Sequence, residues 1–418
     1  MCQSLPKSGG TGVYAAVMHT RRSFFAQAAG VAAVSTIHSR TALGSQASSR
    51  VKVGLIGCGQ RGTMIGGLFR ENGYCEIAAT ADYFHTHAAE VAKAHHLGDD
   101  RVFSGLQCAE KMIAAGGLDA VAIISPPYFH PMQAKAAVDA GLNVYLAKPI
   151  AVDVPGCLSV QASAEKAKQK GLVFLIDFQT RTNPFFIEAM KRVHAGALGT
   201  LGLGEALYHA GRLQPKTTEK TPEARLLNWV FDQKLSGDII VEQNIHTLDV
   251  MNWAMNHVPP LRADGVCARK VRTDVGDAHD TFSIVYEYPD DVGITFSSRQ
   301  FDVPGGAPGG IINRMYGSQG SLHTEYGGEV MIRGGASNFY RGGKTSGIYK
   351  DGIIANIASF QRAIIGRDAS NPTIAPSVLS NLIAIHGRTA AYRRAPVTWA
   401  ELMAGKEVLE PDLSGLKV

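Results

Sequence analysis

Short apolar runs alternate with longer stretches of helical spacing from Val51 onward. The runs read VKVGLI, EIAATAD, VAIIS, NVYLAK and VFLID, and patterns typical of helices lie between them near residues 62–71, 86–96, 131–140 and 155–170. Strands separated by helices of this length indicate a parallel sheet with helices on both faces. We therefore predict a doubly wound α/β domain over residues 50–178.

The pattern changes after about Phe178. The segments become longer and richer in glycine, and runs such as TFSIVYEY and GITFSSRQF alternate apolar and polar residues as half-buried strands do. Two helical patterns follow near 353–365 and 377–394, and we expect both helices to cover this second sheet. Residues 179–418 are thus predicted to form an α+β domain with a largely antiparallel open sheet.

The first 45 residues differ in composition from the rest of the chain. Residues 1–44 carry four basic residues and no acidic one, and the pair Arg21-Arg22 precedes a modest apolar stretch at 26–37. This arrangement resembles the bacterial twin-arginine signal, and its apolar stretch is too short to remain as a membrane anchor. We expect residues 1–45 to direct export to the periplasm. An ordinary amphipathic helix is the alternative, and it would leave the protein in the cytoplasm.

Charge and cysteine content exclude other classes of protein. The chain has 41 basic residues, and four of them lie within residues 1–44. The remaining 37 nearly balance the 36 acidic residues. No lysine and arginine cluster is interleaved with aromatic residues, so nucleic acid is not an expected partner. Five cysteines follow the predicted signal without a C-x-x-C pair, which indicates neither a disulfide framework nor a zinc site.

A glycine motif, Gly57-x-Gly59-x-x-Gly62, follows the first predicted strand and opens the first predicted helix. In that context the glycines allow a tight turn and let the backbone approach the pyrophosphate of a dinucleotide at a helix N-terminus. We therefore predict that the motif, with the intervening Gln60 and Arg61, binds the cofactor of a Rossmann domain.

Asp82 ends the second predicted strand. Its carboxylate could accept hydrogen bonds from both ribose hydroxyls of adenosine. Tyr83 and Phe84 follow it, where a 2′-phosphate would require arginine or lysine, so NAD is favoured over NADP. A structural turn capped by Asp82 is the alternative.

Two further segments leave strands at the carboxyl edge, where open α/β sheets bind ligands. Ser125 and Pro126 begin a proline-stiffened loop that we expect to contact the cofactor, and Ala147-Lys148-Pro149 ends the run NVYLAK. A single lysine at a strand end is usually solvated, so position alone does not make Lys148 catalytic.

The glycine motif, the proline loop, Lys148-Pro149 and the downstream segment 237–249 together resemble the glucose-fructose oxidoreductase and inositol dehydrogenase (Gfo/Idh/MocA) family. The resemblance extends from about Val51 onward. It implies that Lys148 hydrogen-bonds the reacting hydroxyl, contacts the cofactor and helps proton transfer. The family typically carries Glu-Lys-Pro at this place, so Ala147 removes a charge that would help set the position or pKa of the lysine.

Glu242 and His246 lie four residues apart, which predicts that they share one face of a helix. The resemblance implies that His246 is the general base for the substrate hydroxyl and that Glu242 orients a neighbouring hydroxyl. A neutral imidazole suits that work. The same spacing suits metal ligands, but the sequence places no third ligand, so no metal is expected. A buried structural histidine is the other alternative.

Arg181 follows the last predicted parallel strand, and it resembles the family's link into the substrate domain. It could bind a sugar hydroxyl or a carboxylate, and a surface arginine is the alternative.

These residues indicate an NAD-dependent oxidoreductase that acts on a secondary hydroxyl of a sugar, a sugar derivative or a cyclitol. The resemblance also implies a homo-oligomer built through the sheet of the second domain. Because export would separate the protein from free NAD, a redox-neutral glycosidase or epimerase with tightly bound NAD stays open. A noncatalytic sugar-binding protein also stays open, because Ala147 replaces the glutamate that the family typically carries.

Overall fold

The first half of the described chain is built on a parallel sheet of six strands. The structure is a computed structural model that describes residues 50–418, and the predicted signal at 1–45 lies outside these residues. The strands are β1 (Val51–Ile56), β2 (Cys75–Asp82), β3 (Val102–Ser104), β4 (Ala120–Ile123), β5 (Asn143–Ala147) and β6 (Phe174–Asp177). They lie in the order β3-β2-β1-β4-β5-β6, and every neighbouring pair is parallel. The predicted doubly wound sheet is confirmed.

Five helices connect these strands: α1 (Gln60–Asn72), α2 (His85–Ala94), α3 (Cys108–Ala115), α4 (His130–Asp139) and α5 (Val154–Gln169). Central strands such as β4 are buried along their whole length, as strands covered on both faces must be. The hydrophobic pattern indicated five strands and missed β3 and α3. β3 is three half-buried residues at the sheet edge, which is too short to show a period.

The second half contains a nine-stranded mixed sheet. Its strands are β7 (Leu201–Ala210), β8 (Arg262–Ala268), β9 (Thr281–Glu287), β10 (Gly293–Gln300), β11 (Gly310–Gly317), β12 (Gly320–Glu325), β13 (Glu329–Gly334), β14 (Tyr340–Lys344) and β15 (Val397–Thr398). The strand order is β14-β13-β12-β11-β7-β10-β9-β8-β15. Only β7 and β10 pair in parallel, which confirms the largely antiparallel sheet predicted for this half.

Eight helices belong to this second half of the chain. They are α6 (Pro184–His194), α7 (Pro222–Leu227), α8 (Gln233–Ser236), α9 (Ile239–Glu242), α10 (Ile245–Ala254), α11 (Ile348–Gly366), α12 (Ile374–Arg393) and α13 (Trp399–Ala404). As expected, α12 covers the second sheet, where the Tyr286 hydroxyl donates to the Ile383 carbonyl at 3.0 Å.

The expectation for α11 was wrong, because this helix packs on the parallel sheet instead. Its residues Ile353, Ile357 and Phe360 are buried in one cluster with Phe69 of α1 and Tyr145 of β5. The Phe360 ring centroid lies 5.7 Å from that of Tyr145 and 6.4 Å from that of Phe69. The apolar stripe at i, i+4 and i+7 fits the groove beside α1, so a late segment of the chain completes the first domain.

Within residues 50–418, all five cysteines are buried and unpaired. None of the helices described there combines the length and the apolar character needed to cross a membrane.

Candidate active site

The glycine motif forms the turn from β1 to α1. Gly57 has a φ of +89°, and a side chain there would approach the backbone nitrogen of Ser125 to 2.6 Å. A Cβ on Gly62 would lie only 1.8 Å from the Gly57 carbonyl oxygen, whereas a Cβ on Gly59 would meet nothing within 4 Å. The turn itself therefore requires two of the glycines, and the third leaves space for a ligand.

The N-terminus of α1 is suited to an anion. The helix begins at Gln60 with no side-chain cap and no acidic residue in its first turn. Its first N–H groups and its dipole therefore point positive charge at the glycine turn. A lysine adds positive charge beside this helix end, because Lys216 Nζ lies 3.4 Å from Gln60 Oε1. These residues fit the pyrophosphate of a dinucleotide.

Asp82 ties the glycine turn to the loop after β2. Its Oδ2 accepts a hydrogen bond from the Cys58 N–H at 2.7 Å, and its Oδ1 accepts one from the Phe84 N–H at 2.9 Å. The same carboxylate lies 3.5 Å from His87 Nδ1 and raises the pKa of that imidazole. Asp82 thus shapes the edge of the cofactor site, and its bond to ribose stays a prediction.

Asp82→Ala should weaken NAD binding and reduce discrimination against NADP. The change removes an acceptor for ribose and a charge that repels a 2′-phosphate. Hydrogen bonds to a charged group contribute about 1.5–3 kcal/mol, so the Kd for NAD should rise about tenfold or more in a fluorescence titration. Asp82→Asn, which keeps an oxygen acceptor, is the matched control for the turn. Unchanged affinity for both cofactors would place the acidic ribose ligand elsewhere.

Ser125 lies beside Gly57 and is held by α4. Its hydroxyl donates to Gln133 Oε1 at 2.6 Å. The two ring nitrogens of His130 lie 2.7 Å from the Ser125 carbonyl oxygen and 2.8 Å from that of Pro149. Burial lowers the pKa of His130 to about 4, and the neutral ring donates to one of these two carbonyl oxygens. The predicted contact of Ser125 and Pro126 with the cofactor remains a prediction.

Lys148 connects the two halves of the protein at this edge. Its Nζ donates to the Glu242 carbonyl oxygen at 2.7 Å and lies 3.4 Å from Glu242 Oε1. The two side chains are only 8% and 14% exposed. Burial lowers the pKa of Lys148, and the Glu242 carboxylate acts in the opposite direction. Two residues predicted for the site are thus in contact.

The segment that carries Glu242 and His246 is not one helix. α9 ends at Glu242 and α10 begins at Ile245, so the predicted single helical face was wrong. The Gln243 side chain accepts a hydrogen bond from Gln300 of β10, which holds the break against the sheet. Glu242 consequently turns its carbonyl and carboxylate toward Lys148.

His246 is buried at the start of α10, with 8% of its surface exposed. Its ring centroid lies 5.3 Å from that of Tyr326. Burial, then the charges of Lys148 and Arg61, lower the pKa of His246 well below its usual value. The imidazole is therefore neutral near pH 7. Within the described residues, neither His246 Nδ1 nor the Tyr326 hydroxyl has a hydrogen-bond partner.

The structure gives Arg181 a different partner from the predicted substrate. Its Nε lies 3.0 Å from both carboxylate oxygens of Asp249, and its Nη2 lies 2.8 Å from Oδ1. The guanidinium also lies over the Trp253 ring, 5.2 Å from its centroid. Asp249 is fully buried and needs this cation. Arg181 thus anchors α10, which carries His246. Only 13% of the Arg181 side chain is exposed, so it is not the surface arginine of the alternative, and its contact with substrate stays a prediction.

The Arg61 side chain forms an ion pair within the protein, and the cofactor contact predicted for this residue of the first turn of α1 stays a prediction. The guanidinium donates to Asp177 Oδ2 at 2.9 Å and to the Tyr349 hydroxyl at 2.7 Å, so it faces the end of β6 and α11. Sequence reasoning missed Asp177 and Tyr349. Asp177 carried a signal, because it is an acidic residue ending the buried run VFLID at the ligand-binding edge. Tyr349 and Tyr326 carried none.

Among residues 50–418, no three histidine, cysteine, aspartate or glutamate side chains come together in a way that could hold a metal ion.

Two family models match the chain. The model described as the oxidoreductase family with an NAD-binding Rossmann fold matches residues 51–175, and the GFO/IDH/MocA C-terminal domain matches residues 186–323. The chain therefore belongs to the Gfo/Idh/MocA family and is by family an NAD-dependent oxidoreductase.

Curated relatives and solved structures agree with this family. The myo-inositol dehydrogenase Hyg17 of Streptomyces leeuwenhoekii is 24% identical over 249 residues, which cover 59% of this chain and 69% of the relative. The inositol 2-dehydrogenase of Rhizobium meliloti (strain 1021) is 26% identical over 56% of this chain and 63% of its own length. The chain thus spans about two thirds of these relatives. Levoglucosan dehydrogenase, in complex with NADH and levoglucosan, shares the fold, with a TM-score of 0.67 at 17% identity over 84% of this chain and 99% of that one.

Proposed function

We propose that the protein oxidises a secondary hydroxyl of a sugar, a sugar derivative or a cyclitol. The contact between Lys148 of the NAD-binding half and Glu242 of the second half carries the proposal, because it places a cation and a carboxylate beside the cofactor edge. The charge of the same lysine lowers the pKa of His246, whose imidazole is neutral. Relatives named inositol dehydrogenases support the substrate class.

The three side chains have distinct roles in this proposal. His246 accepts the proton of the reacting hydroxyl, and Lys148 donates a hydrogen bond to the same oxygen as it becomes a carbonyl. Glu242 accepts a hydrogen bond from a neighbouring hydroxyl. NAD, when bound, supplies the hydride acceptor.

A cofactor assay and a substrate screen test this proposal. Purified protein is assayed for bound NAD and then offered inositols, hexoses and glycosides, with absorbance at the reduced-nicotinamide band and release of reducing sugar recorded together. NAD reduction in proportion to one polyol supports the dehydrogenase. If no compound reduces NAD and none is converted, the assignment is wrong.

One observation favours a second candidate, a redox-neutral glycosidase or epimerase with retained NAD. The loops around Asp82 are covered by the end of the described chain: the Leu106 N–H donates to the Lys417 carbonyl at 2.9 Å, and the Lys417 N–H donates to the Tyr83 hydroxyl at 3.0 Å. Such a cover would slow the release of the adenosine end of NAD. If this candidate is right, each bound NAD should support many turnovers without an external electron acceptor. The same screen measures the number of turnovers.

We also propose a homo-oligomer built through the second sheet. Leu203, Val266 and Val285, on β7, β8 and β9, are each about half exposed on one face of that sheet. Apolar side chains on a flat sheet face suit a second copy of the same face. Val285→Glu should shift the mass measured by light scattering toward that of the monomer. The partly exposed Glu76→Gln on β2 is the control, and a mass unchanged by Val285→Glu would rule out this face.

Export remains a further proposal, carried by Arg21 and Arg22 outside the described residues. Changing both arginines to lysine should leave the precursor in the cytoplasm, because the paired guanidinium groups and not their charge alone would be recognised. Cell fractionation with immunoblotting measures the distribution. Arg40→Lys, in the same basic segment, is the matched control. Normal periplasmic appearance of the double variant would remove the export assignment.

A further inference from the structure

A buried carboxylate lies one strand away from Lys148. The residue before the lysine, Ala147, carries no charge, and the pairing of β5 with β6 places Asp177 opposite it. The Asp177 side chain has no exposed surface. The edge of the sheet that presents Lys148 therefore has a carboxylate on the neighbouring strand and none at position 147.

Asp177 is held by two elements outside its own strand. Its Oδ2 pairs with Arg61 Nη2 of α1 at 2.9 Å, and its Oδ1 accepts a hydrogen bond from Asn356 Nδ2 of α11 at 2.7 Å. The same arginine donates to the Tyr349 hydroxyl at 2.7 Å. A charge buried this completely persists only when it is paired and hydrogen-bonded, and both conditions are met here.

The charges of this ion pair act on both reactive groups. The charged side chains that act on Lys148 are Glu242, Arg61 and Asp177. Those that act on His246 are Lys148 and Arg61, and the uncharged Tyr326 ring packs against the imidazole. Arg61 is thus the one cation shared by both environments, and Asp177 is the carboxylate that fixes it.

We propose that Asp177 and Arg61 are positioning residues for the reaction. Asp177 supplies, from the neighbouring strand, the negative charge beside Lys148 that residue 147 does not carry. Arg61 holds this carboxylate in place and adds a positive charge near His246. The inference rests on the proposed function, in which Lys148 and His246 act on one substrate oxygen.

The two members of the pair act on Lys148 in opposite directions. Burial and the Arg61 charge lower the pKa of Lys148, whereas the carboxylates of Glu242 and, more weakly, Asp177 raise it. Burial, Lys148 and Arg61 all lower the pKa of His246, so the imidazole stays free to accept. Removing either member of the pair should therefore change the titration of a different reactive residue.

The test follows the titration of Lys148 and His246 by NMR in protein labelled with ¹³C-lysine and ¹³C-histidine. Lys148→Met and His246→Asn spectra assign the two signals. Asp177→Asn should lower the titration midpoint of Lys148, and adding Ala147→Glu should move it back. Arg61→Met/Asp177→Asn leaves no unpaired buried charge, so it keeps the test available if the single variant does not fold. The double variant should raise the titration midpoint of His246, and it should change the midpoint of Lys148 less than Asp177→Asn alone does.

Asp153→Asn is the matched control. This buried carboxylate caps α5 through the Gly156 N–H at 2.8 Å and accepts from the Leu409 N–H at 2.9 Å, so its loss should affect stability without moving either midpoint. The inference is overturned if the Lys148 midpoint in Asp177→Asn matches the wild type, if Ala147→Glu does not restore it, or if the His246 midpoint stays fixed without Arg61.

Turnover of myo-inositol adds a second readout. Asp177→Asn should lower kcat between about tenfold and a hundredfold with little change in KM, as displacement of a reacting group does, and Ala147→Glu should recover part of the loss. If the wild-type protein converts none of the inositols, hexoses and glycosides of the substrate screen, the proposed function fails while the NMR midpoints still decide the charge arrangement. If it does oxidise one, and Asp177→Asn is fully active, the positioning role fails alone.

Discussion

His246→Asn should retain the fold and bound NAD while lowering turnover by roughly 10² to 10⁴, the usual range for losing a general base. The imidazole is buried at the start of α10, and its Nδ1 has no hydrogen-bond partner within the described residues. Asparagine keeps a polar side chain of similar reach but cannot accept a proton near neutral pH. The measurement is kcat with the polyol found in the screen, alongside NAD content and thermal unfolding.

A second buried histidine provides the control. His386 has no exposed surface, and its Nε2 lies 2.7 Å from the Val397 carbonyl oxygen, far along the chain from the site. His386→Asn should reduce stability and leave turnover per folded molecule near normal. Near-normal turnover in His246→Asn would instead show that the base is another group.

The environment of His246 also sets a pH dependence. Because burial and the cations Lys148 and Arg61 lower its pKa, the imidazole keeps its proton-accepting form as the pH falls through the usual histidine range. We expect kcat/KM to persist below pH 6.5, where an unperturbed histidine base would be half protonated. An acid limb at the ordinary histidine pKa would contradict the buried, cation-flanked environment.

The parts of the site that follow from local sequence were predictable. The glycine motif is one turn between a strand and a helix, so its fold needs no distant partner. Lys148 ends a buried strand, and the parallel sheet alone places such residues at one edge. The family resemblance assigned Lys148 and Glu242 to one site, but their contact was not predicted, because nothing in the spacing of the two residues along the chain brings them together.

The parts that the sequence did not predict depend on partners far along the chain. Arg181 pairs with Asp249, and Arg61 pairs with Asp177, and neither ion pair follows from the local sequence. α11 follows the second sheet in sequence but packs on the first. Amphipathic spacing shows that a helix has an apolar face and does not show which surface covers it.

The lysine should prove as important as the histidine. Lys148→Met keeps the length of the buried stem and removes the ammonium that contacts Glu242, so the developing charge on the substrate oxygen loses its donor. We expect turnover to fall by roughly 10² to 10⁴, as for His246→Asn. The pKa of His246 should rise in this variant, because one of the two cations that lower it is gone.

The double variant decides whether the two residues act as a unit. Once His246 no longer accepts the proton, Lys148 has less developing charge to stabilise, so the double variant should lose less than the product of the two single losses. Single-turnover rates with saturating NAD measure this coupling. Losses that multiply fully would mean that the two side chains act on separate steps, and near-normal turnover in each single variant would remove the proposed site. A coupled loss, with NAD content unchanged, would place both residues on one substrate oxygen at the junction of the two halves.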